Sequence, residues 1–183
     1  MLLSIDPSIV NCGYAVLDGL KVITSGVIKP DPKKHMALRL LELQTEINMI
    51  MGHKDYRISH AVVEVKSSFS YKRSTSTRSG KGMNQAALHI NSYAIGAILA
   101  TIANWGIVPE MIEATAWKGG RSKKLDQIIA KQYLGGRIAT TDEADSVVLG
   151  TYWLQLHPEL TKNKQEKEKL ENGDNRKTEE CPW

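Results

Sequence analysis

Several things are scarce in this chain, and each scarcity closes off a class of protein. Of 183 residues only two are cysteine, Cys12 and Cys181. They lie too far apart in sequence to form a metal knuckle. Two thiols without a disulfide framework point to a reducing compartment, and the cytoplasm is the expected location. No apolar run reaches the length of a membrane span; the nearest, AIGAILATIANWGI, is too short and contains Thr and Asn. Strand-like sequence begins at Leu2, so no targeting leader is expected ahead of it. There is no internal repeat. TKNKQEKEKLENGDNRKTEECPW has almost no apolar content, so residues 157–183 are expected to form a charged, disordered tail behind one folded domain over residues 1–156.

What remains suits a single soluble domain, because 42% hydrophobic residues over this length can fill one real core. The net charge of +4 is unevenly placed. From His157 onward six Lys/Arg stand against seven Asp/Glu, whereas residues 1–156 carry 18 basic and 13 acidic groups. The folded part is therefore the basic part. A nucleic-acid partner would favour that excess, although many unrelated soluble proteins share it.

LLSID and GYAVLD read as two strands joined by a polar turn, and LKVITSGVIK, after Asp-Gly, reads as a third antiparallel strand. From His35 to Gly52, Leu40, Leu43, Ile47 and Ile50 recur at helical spacing, with Gly52 as the stop. SHAVVEV is a short apolar run fit for the middle of a sheet. KSSFSYKRSTSTRSGKG has no hydrophobic period and is expected to be a loop. MNQAALHINSYAIGAILATIANWG follows as a long helix, apolar almost all round in its second half and so packed on the sheet. IVPEMIEA is a strand whose proline suits an edge or a strand start. RSKKLDQIIAKQYLG and TDEADSVVLGTYWLQL complete the domain as helices. This order predicts an α/β fold: a mixed five-stranded sheet, three antiparallel strands and then parallel ones, with helices on both faces.

Three acidic positions are at odds with their surroundings. Asp6 ends a strand whose other side chains want burial, although Asp-Pro is also an ordinary turn former. Glu64 lies inside AVVEV, where an ionised carboxylate is costly unless paired or bound to a cation; a partner in Lys66, or an edge position, would be the bland account. In TTDEADSVVLG, Thr141 can cap the helix, and acids in a first turn suit the helix dipole. That explains Asp142 and Glu143 better than Asp145, which opens an apolar run. Asp142 and Asp145, three apart, share a helical face; Glu143 is turned away by about 100° and is expected to be solvated. Clustered carboxylates need compensation, and hard divalent cations such as Mg²⁺ supply it. Two such ions about 4 Å apart suit hydrolysis of a phosphodiester.

Taken together these segments resemble RuvC-type Holliday junction resolvases of the RNase H-like nuclease superfamily, from about Leu2 to Leu156. SIDPSIVNCGYAVLD is similar to the family's opening I-D-P-G motif, and HAVVEVKSSF to its second-acid strand with a following aromatic. NQAALHINSYAIGAILA resembles its long helix, PEMIEATAWK its strand leading to a lysine, and DEADSVVLG its D-x-A-D motif. The resemblance implies Asp6, Glu64, Asp142 and Asp145 as metal ligands for Mg²⁺, two ions per site, with Mn²⁺ able to substitute. It implies Lys118 as the basic residue near the cleaved phosphate. Lys123 or Lys124 is the looser match to a second basic residue, and a solvated helix start explains RSKK equally well. It further implies a cytoplasmic homodimer that nicks opposite strands of a four-way DNA junction in recombination and repair. The products would carry 5′-phosphate and 3′-hydroxyl ends. The helix from Asn84 to Gly106 is the candidate interface, and a helicase partner is not deducible.

Departures from the family pattern are Ser8, in place of a glycine, and Cys12, in place of a threonine; neither is a proposed ligand. The loop after Glu64 carries Lys66, Lys72, Arg73, Arg78 and Lys81 and no acid, with Phe69 and Tyr71 interleaved. Such a loop suits phosphates and an unpaired base, with Phe69 the better positional match for the family's aromatic. Other branched DNA, structured RNA and a non-cleaving junction-binding module are alternatives. An actin-like ATPase would need a second glycine-rich phosphate loop and about twice this length.

Overall fold

A computed structural model describes residues 1–65 and 85–161, with 85–88 as backbone only. In chain order the elements are β1 (Leu2–Asp6), β2 (Cys12–Asp18), β3 (Lys21–Ile28), α1 (Met36–Met51), β4 (His60–Val65), α2 (Gln85–Ala103), β5 (Glu110–Glu113), α3 (Ala114–Lys118), α4 (Lys123–Tyr133) and α5 (Thr141–Leu156). The sheet order is β3-β2-β1-β4-β5. β1, β2 and β3 pair antiparallel, and β4 and β5 then add in parallel beside β1. This is the mixed five-stranded sheet that the order of segments predicts. Pro109 precedes the edge strand β5, where its missing N–H costs little. The short helix α3 was not expected: ATAWK leaves the strand and coils at once.

Strand alternation sorts the side chains into two cores. Leu3, Ile5, Val16 and Val63 turn to one face, beneath Leu43 and Ile47 of α1 and Ala94, Ile98 and Ile102 of α2. Leu2, Ala15, Leu17 and Val62 turn to the other, beneath Val147, Leu149 and Trp153 of α5. The helix α5 is buried along almost its whole length, because the sheet lies on one side of it and α4 on the other. That is why DSVVLGTYWL has no polar stripe. α2 does pack over the sheet, but it leans chiefly on α1 and leaves Tyr93 exposed on its outer side. Of the expected tail, Leu160 still packs against the α5 core; residues 162–183 lie outside the described residues. Among the described residues no helix is long and apolar enough to cross a membrane.

Candidate active site

Parallel pairing sets Ile5 of β1 opposite Val63 of β4. The next residue of each strand is an acid, so Asp6 and Glu64 stand side by side at the carboxyl ends of two central strands. Open α/β sheets place their ligand sites at such strand ends. Alternation matters here too: Ile5 and Val63 enter the α1 and α2 core, so Asp6 and Glu64 turn to the α5 face. Glu64 is only 3% exposed.

The third acid arrives on α5. Thr140, one residue before the expected Thr141, caps this helix, its hydroxyl accepting the Glu143 amide at 3.3 Å. The start of α5 lies hard against β2, where a Cβ added to Gly13 would meet the Asp142 carbonyl oxygen at 1.9 Å. Farther along, the Ser4 hydroxyl of β1 donates to the Ser146 carbonyl at 2.8 Å. These two close approaches hold α5 across β1 and β2 and deliver Asp145, 2% exposed, to the strand ends. Asp142, one turn earlier, is half-buried.

Glu143 corrects the sequence reading. It is 4% exposed, not solvated. Its carboxylate accepts from Arg137 at 2.6 and 3.1 Å and from the Ser25 hydroxyl at 2.7 Å. These bonds, more than counteracting the effect of burial, hold its pKa below the usual carboxylate value. The turn of the helix does take Glu143 off the face shared by Asp142 and Asp145, but toward β3 rather than toward water. Its bonds to Arg137 and Ser25 tie the start of α5 to β3.

Lys118 joins the acids. Its ammonium lies 2.8 Å from Asp145 Oδ2 and 3.3 Å from Glu64 Oε2. Burial pulls its pKa down, but Glu64, the Asp145 hydrogen bond and Asp6 outweigh it, and the net shift is upward. Asp6, Glu64 and Asp145 therefore share one electrostatic neighbourhood. Trp117 supports the arrangement from beneath: its indole N–H donates to Glu64 Oε2 at 3.1 Å, and the Lys118 ammonium stands 4.8 Å from its ring. The buried Cys12 thiol is pushed up to about 12, by burial first and by the charges of Asp6 and Asp142 after a partly offsetting bond to the Ser8 backbone.

The pairing carries a stability prediction. Removing one partner of a buried ion pair costs about 3–5 kcal/mol, or on the order of 10 °C for a chain of this size. Lys118→Met should lower the metal-free melting temperature by that amount at neutral pH. A folded-state lysine pKa above its unfolded value gives stability that is complete below the usual 10.5 and fades as pH rises through the raised value. The gap between wild type and variant should thus close in strong alkali. A gap unchanged by pH in thermal melts would remove the charge from the account.

Among the described residues no group of three or more His, Cys, Asp or Glu side chains is already drawn together as a metal cage. The Lys118 ammonium contacts both Glu64 and Asp145. The carboxylates still outnumber it, and Asp145 Oδ1 is buried with no hydrogen-bond partner among the described residues. A cleft of about 670 Å³ between β2, β3 and α1, lined by Tyr14, Glu42, Glu46, His53 and Tyr56, opens on the other face of the sheet and holds none of these residues.

No family model and no curated protein matches the chain's sequence. Solved structures do match its shape. A T. thermophilus RuvC in complex with Holliday junction substrate superposes with a TM-score of 0.64 over 82% of this chain and 90% of that one, at 17% identity. A Thermus thermophilus RuvC structure gives 0.61 over the same shares, at 15% identity. The yeast mitochondrial Holliday junction resolvase Ydc2 gives 0.52 over 92% of this chain and 83% of that one, at 15% identity. This chain has the RuvC fold.

Within the RuvC fold, the structure brings Asp6, Glu64, Asp145 and Lys118 together, with Asp142 one helical turn away. Lys123 and Lys124 are exposed in the first turn of α4. Lys66, Phe69, Tyr71, Lys72, Arg73, Arg78 and Lys81 lie outside the described residues. Sequence reading missed Trp117, Arg121 and Asp126. A tryptophan beside a lysine, and an arginine five residues from an acid that begins a helix, were the only signals, and both are weak.

Proposed function

We propose that this protein is a junction-resolving endonuclease, nicking opposite strands of a four-way DNA junction to leave 5′-phosphate and 3′-hydroxyl ends. The observation that carries this reading is the Lys118 ammonium bridging buried Glu64 and Asp145, with Asp6 on the neighbouring strand end beside Glu64. A module that only bound DNA would gain nothing from burying two carboxylates beside phosphate. Alternative substrates, other branched DNA or folded RNA, are outcomes of the test below.

The donor set fits a hard divalent cation: it is all oxygen, in excess over the one ammonium, and one buried oxygen of Asp145 has no partner among the described residues. Asp6, Glu64, Asp142 and Asp145 would hold Mg²⁺, or Mn²⁺ in its place, in one or two ions. Bound there, such ions make a water nucleophilic at neutral pH and offset charge on the leaving oxygen. The chain's own residues do the rest. Lys118 stabilises negative charge gathering on the attacked phosphate. Trp117 holds Glu64 by its N–H, so that this carboxylate keeps its place while Lys118 serves the phosphate. Asp145 and Asp142 are carried by a helix braced at Gly13 and Ser4.

Resolution takes two matched nicks, which a two-fold dimer supplies. The outer side of α2, with its exposed Tyr93, is the surface we assign to that contact. The basic residues that follow Glu64 in sequence, which lie outside the described residues, are the ones we assign to the junction's phosphates. Neutralising Lys72, Arg73 and Arg78 together should weaken junction binding at least tenfold in low salt and flatten its salt dependence by up to about three counter-ions. Equal affinity across a salt series would remove the loop from the mechanism.

The deciding experiment compares Mg²⁺-dependent nicking of a four-way junction, a linear duplex and an RNA hairpin by the same preparation. Paired nicks confined to the junction support the proposal. Cleavage of the hairpin alone makes the protein an RNA-processing nuclease, and binding without cleavage makes it a junction-recognition module.

A further inference from the structure

The segment after Lys118 reads GGRSKKLD. Gly119 and Gly120 both take left-handed backbone, at φ 53° and 79°, and the Arg121 amide donates to the Lys118 carbonyl at 2.8 Å. This turn folds the chain back so that two cations share one indole: the Lys118 ammonium is 4.8 Å, and the Arg121 guanidinium 5.7 Å, from the Trp117 ring. Their charges can be no farther apart than those two lengths end to end, which is within reach of nearby phosphates on one strand.

Arg121 is also anchored. Its Nε donates to Asp126 Oδ1 at 3.0 Å, and Asp126, at the start of α4, is 1% exposed. An arginine that serves only as a counter-ion commonly grips a carboxylate with two N–H groups. Here one is used. Asp126 Oδ2 has no hydrogen-bond partner among the described residues, and the two terminal amino groups of Arg121 make no hydrogen bond among them either. The side chain is 29% exposed and lies against the same tryptophan whose N–H holds Glu64. A planar fork held at its base by a buried acid loses little freedom on meeting phosphate. Lys123 and Lys124, in the first turn of α4, are fully on the surface.

We infer that Arg121 binds a DNA backbone phosphate neighbouring the one attended by Lys118, and that Asp126 is the positioning residue that aims it. This rests on the nuclease reading above and adds to it a second phosphate subsite, tied to the acids through Trp117.

The test uses the full chain carrying Asp6→Asn, so that the junction is not cut, with affinity for a four-way junction measured over a salt series. Arg121→Gln should weaken binding about tenfold at low salt, and the slope of log affinity against log salt should become shallower by about one. Asp126→Asn keeps the arginine's charge, so it should weaken binding less and leave the slope unchanged. Because either change leaves a buried partner behind, the paired variant Arg121→Met with Asp126→Leu removes both charges into an apolar contact. It should fold and show the full Arg121 loss. Wild-type affinity and slope in the paired variant would overturn the inference and leave Arg121 a counter-ion for Asp126 alone. If the Asp6→Asn parent binds no nucleic acid, the nuclease reading itself falls; if the parent binds and the paired variant matches it, this inference falls alone.

Discussion

Asp145→Asn is expected to abolish nicking while leaving junction binding intact or slightly tighter. The substitution keeps the side chain's shape and an oxygen toward Lys118, which still has Glu64 at 3.3 Å. The helix and the ion pair therefore survive. What disappears is a buried negative charge at the place where the donor set needs it, together with the oxygen that lacks a partner among the described residues. Loss of one ligand of a catalytic divalent ion removes several kcal/mol of transition-state stabilisation, about 4 or more, which is roughly a thousandfold in rate. Asp6→Asn should behave alike. Single-turnover nicking measured beside equilibrium binding separates the two effects. Cleavage at the wild-type rate by either variant would refute the ligand assignment, and loss of binding would show that the acid is structural.

Gly13→Ala is the second large effect, and it acts at a distance from the chemistry. The new methyl group would lie 1.9 Å from the Asp142 carbonyl oxygen and 2.5 Å from its carbon. Both are backbone atoms, so no side chain can step aside; β2 or the start of α5 has to move. Overpacking of this kind costs about 3 kcal/mol or more, a fall of roughly 6–12 °C in melting temperature. Whatever fraction folds should carry Asp142 and Asp145 displaced from Asp6 and Glu64, and a misplacement near 1 Å can cost about a hundredfold in rate. Cleavage measured well below the melting point should therefore fall although no acid has changed. Wild-type nicking with only a lower melting temperature would mean that the contact serves stability alone.

Much of this molecule could be read from local pattern. The strands, four of the five helices and the mixed order of the sheet follow from hydrophobic spacing, which each segment carries within itself. The acids Asp6, Glu64 and Asp145 betrayed themselves because each is a charge in an apolar setting, and such a contradiction is visible without neighbours. Glu143 was misread on the same logic. Its sequence context allows a solvated first-turn acid; of its partners Arg137 is six residues away but Ser25, on β3, is 118.

Burial cost can thus be seen along a chain, while the group that offsets it cannot. Lys118 lies 27 residues from Asp145, and Trp117 lies 53 from Glu64. Those distances close because β4 and β5 run parallel beside β1 and because Gly13 lets α5 settle onto the sheet. A side chain's wish for a partner is local chemistry; which partner it obtains depends on strand register and helix approach, and those are properties of the folded whole.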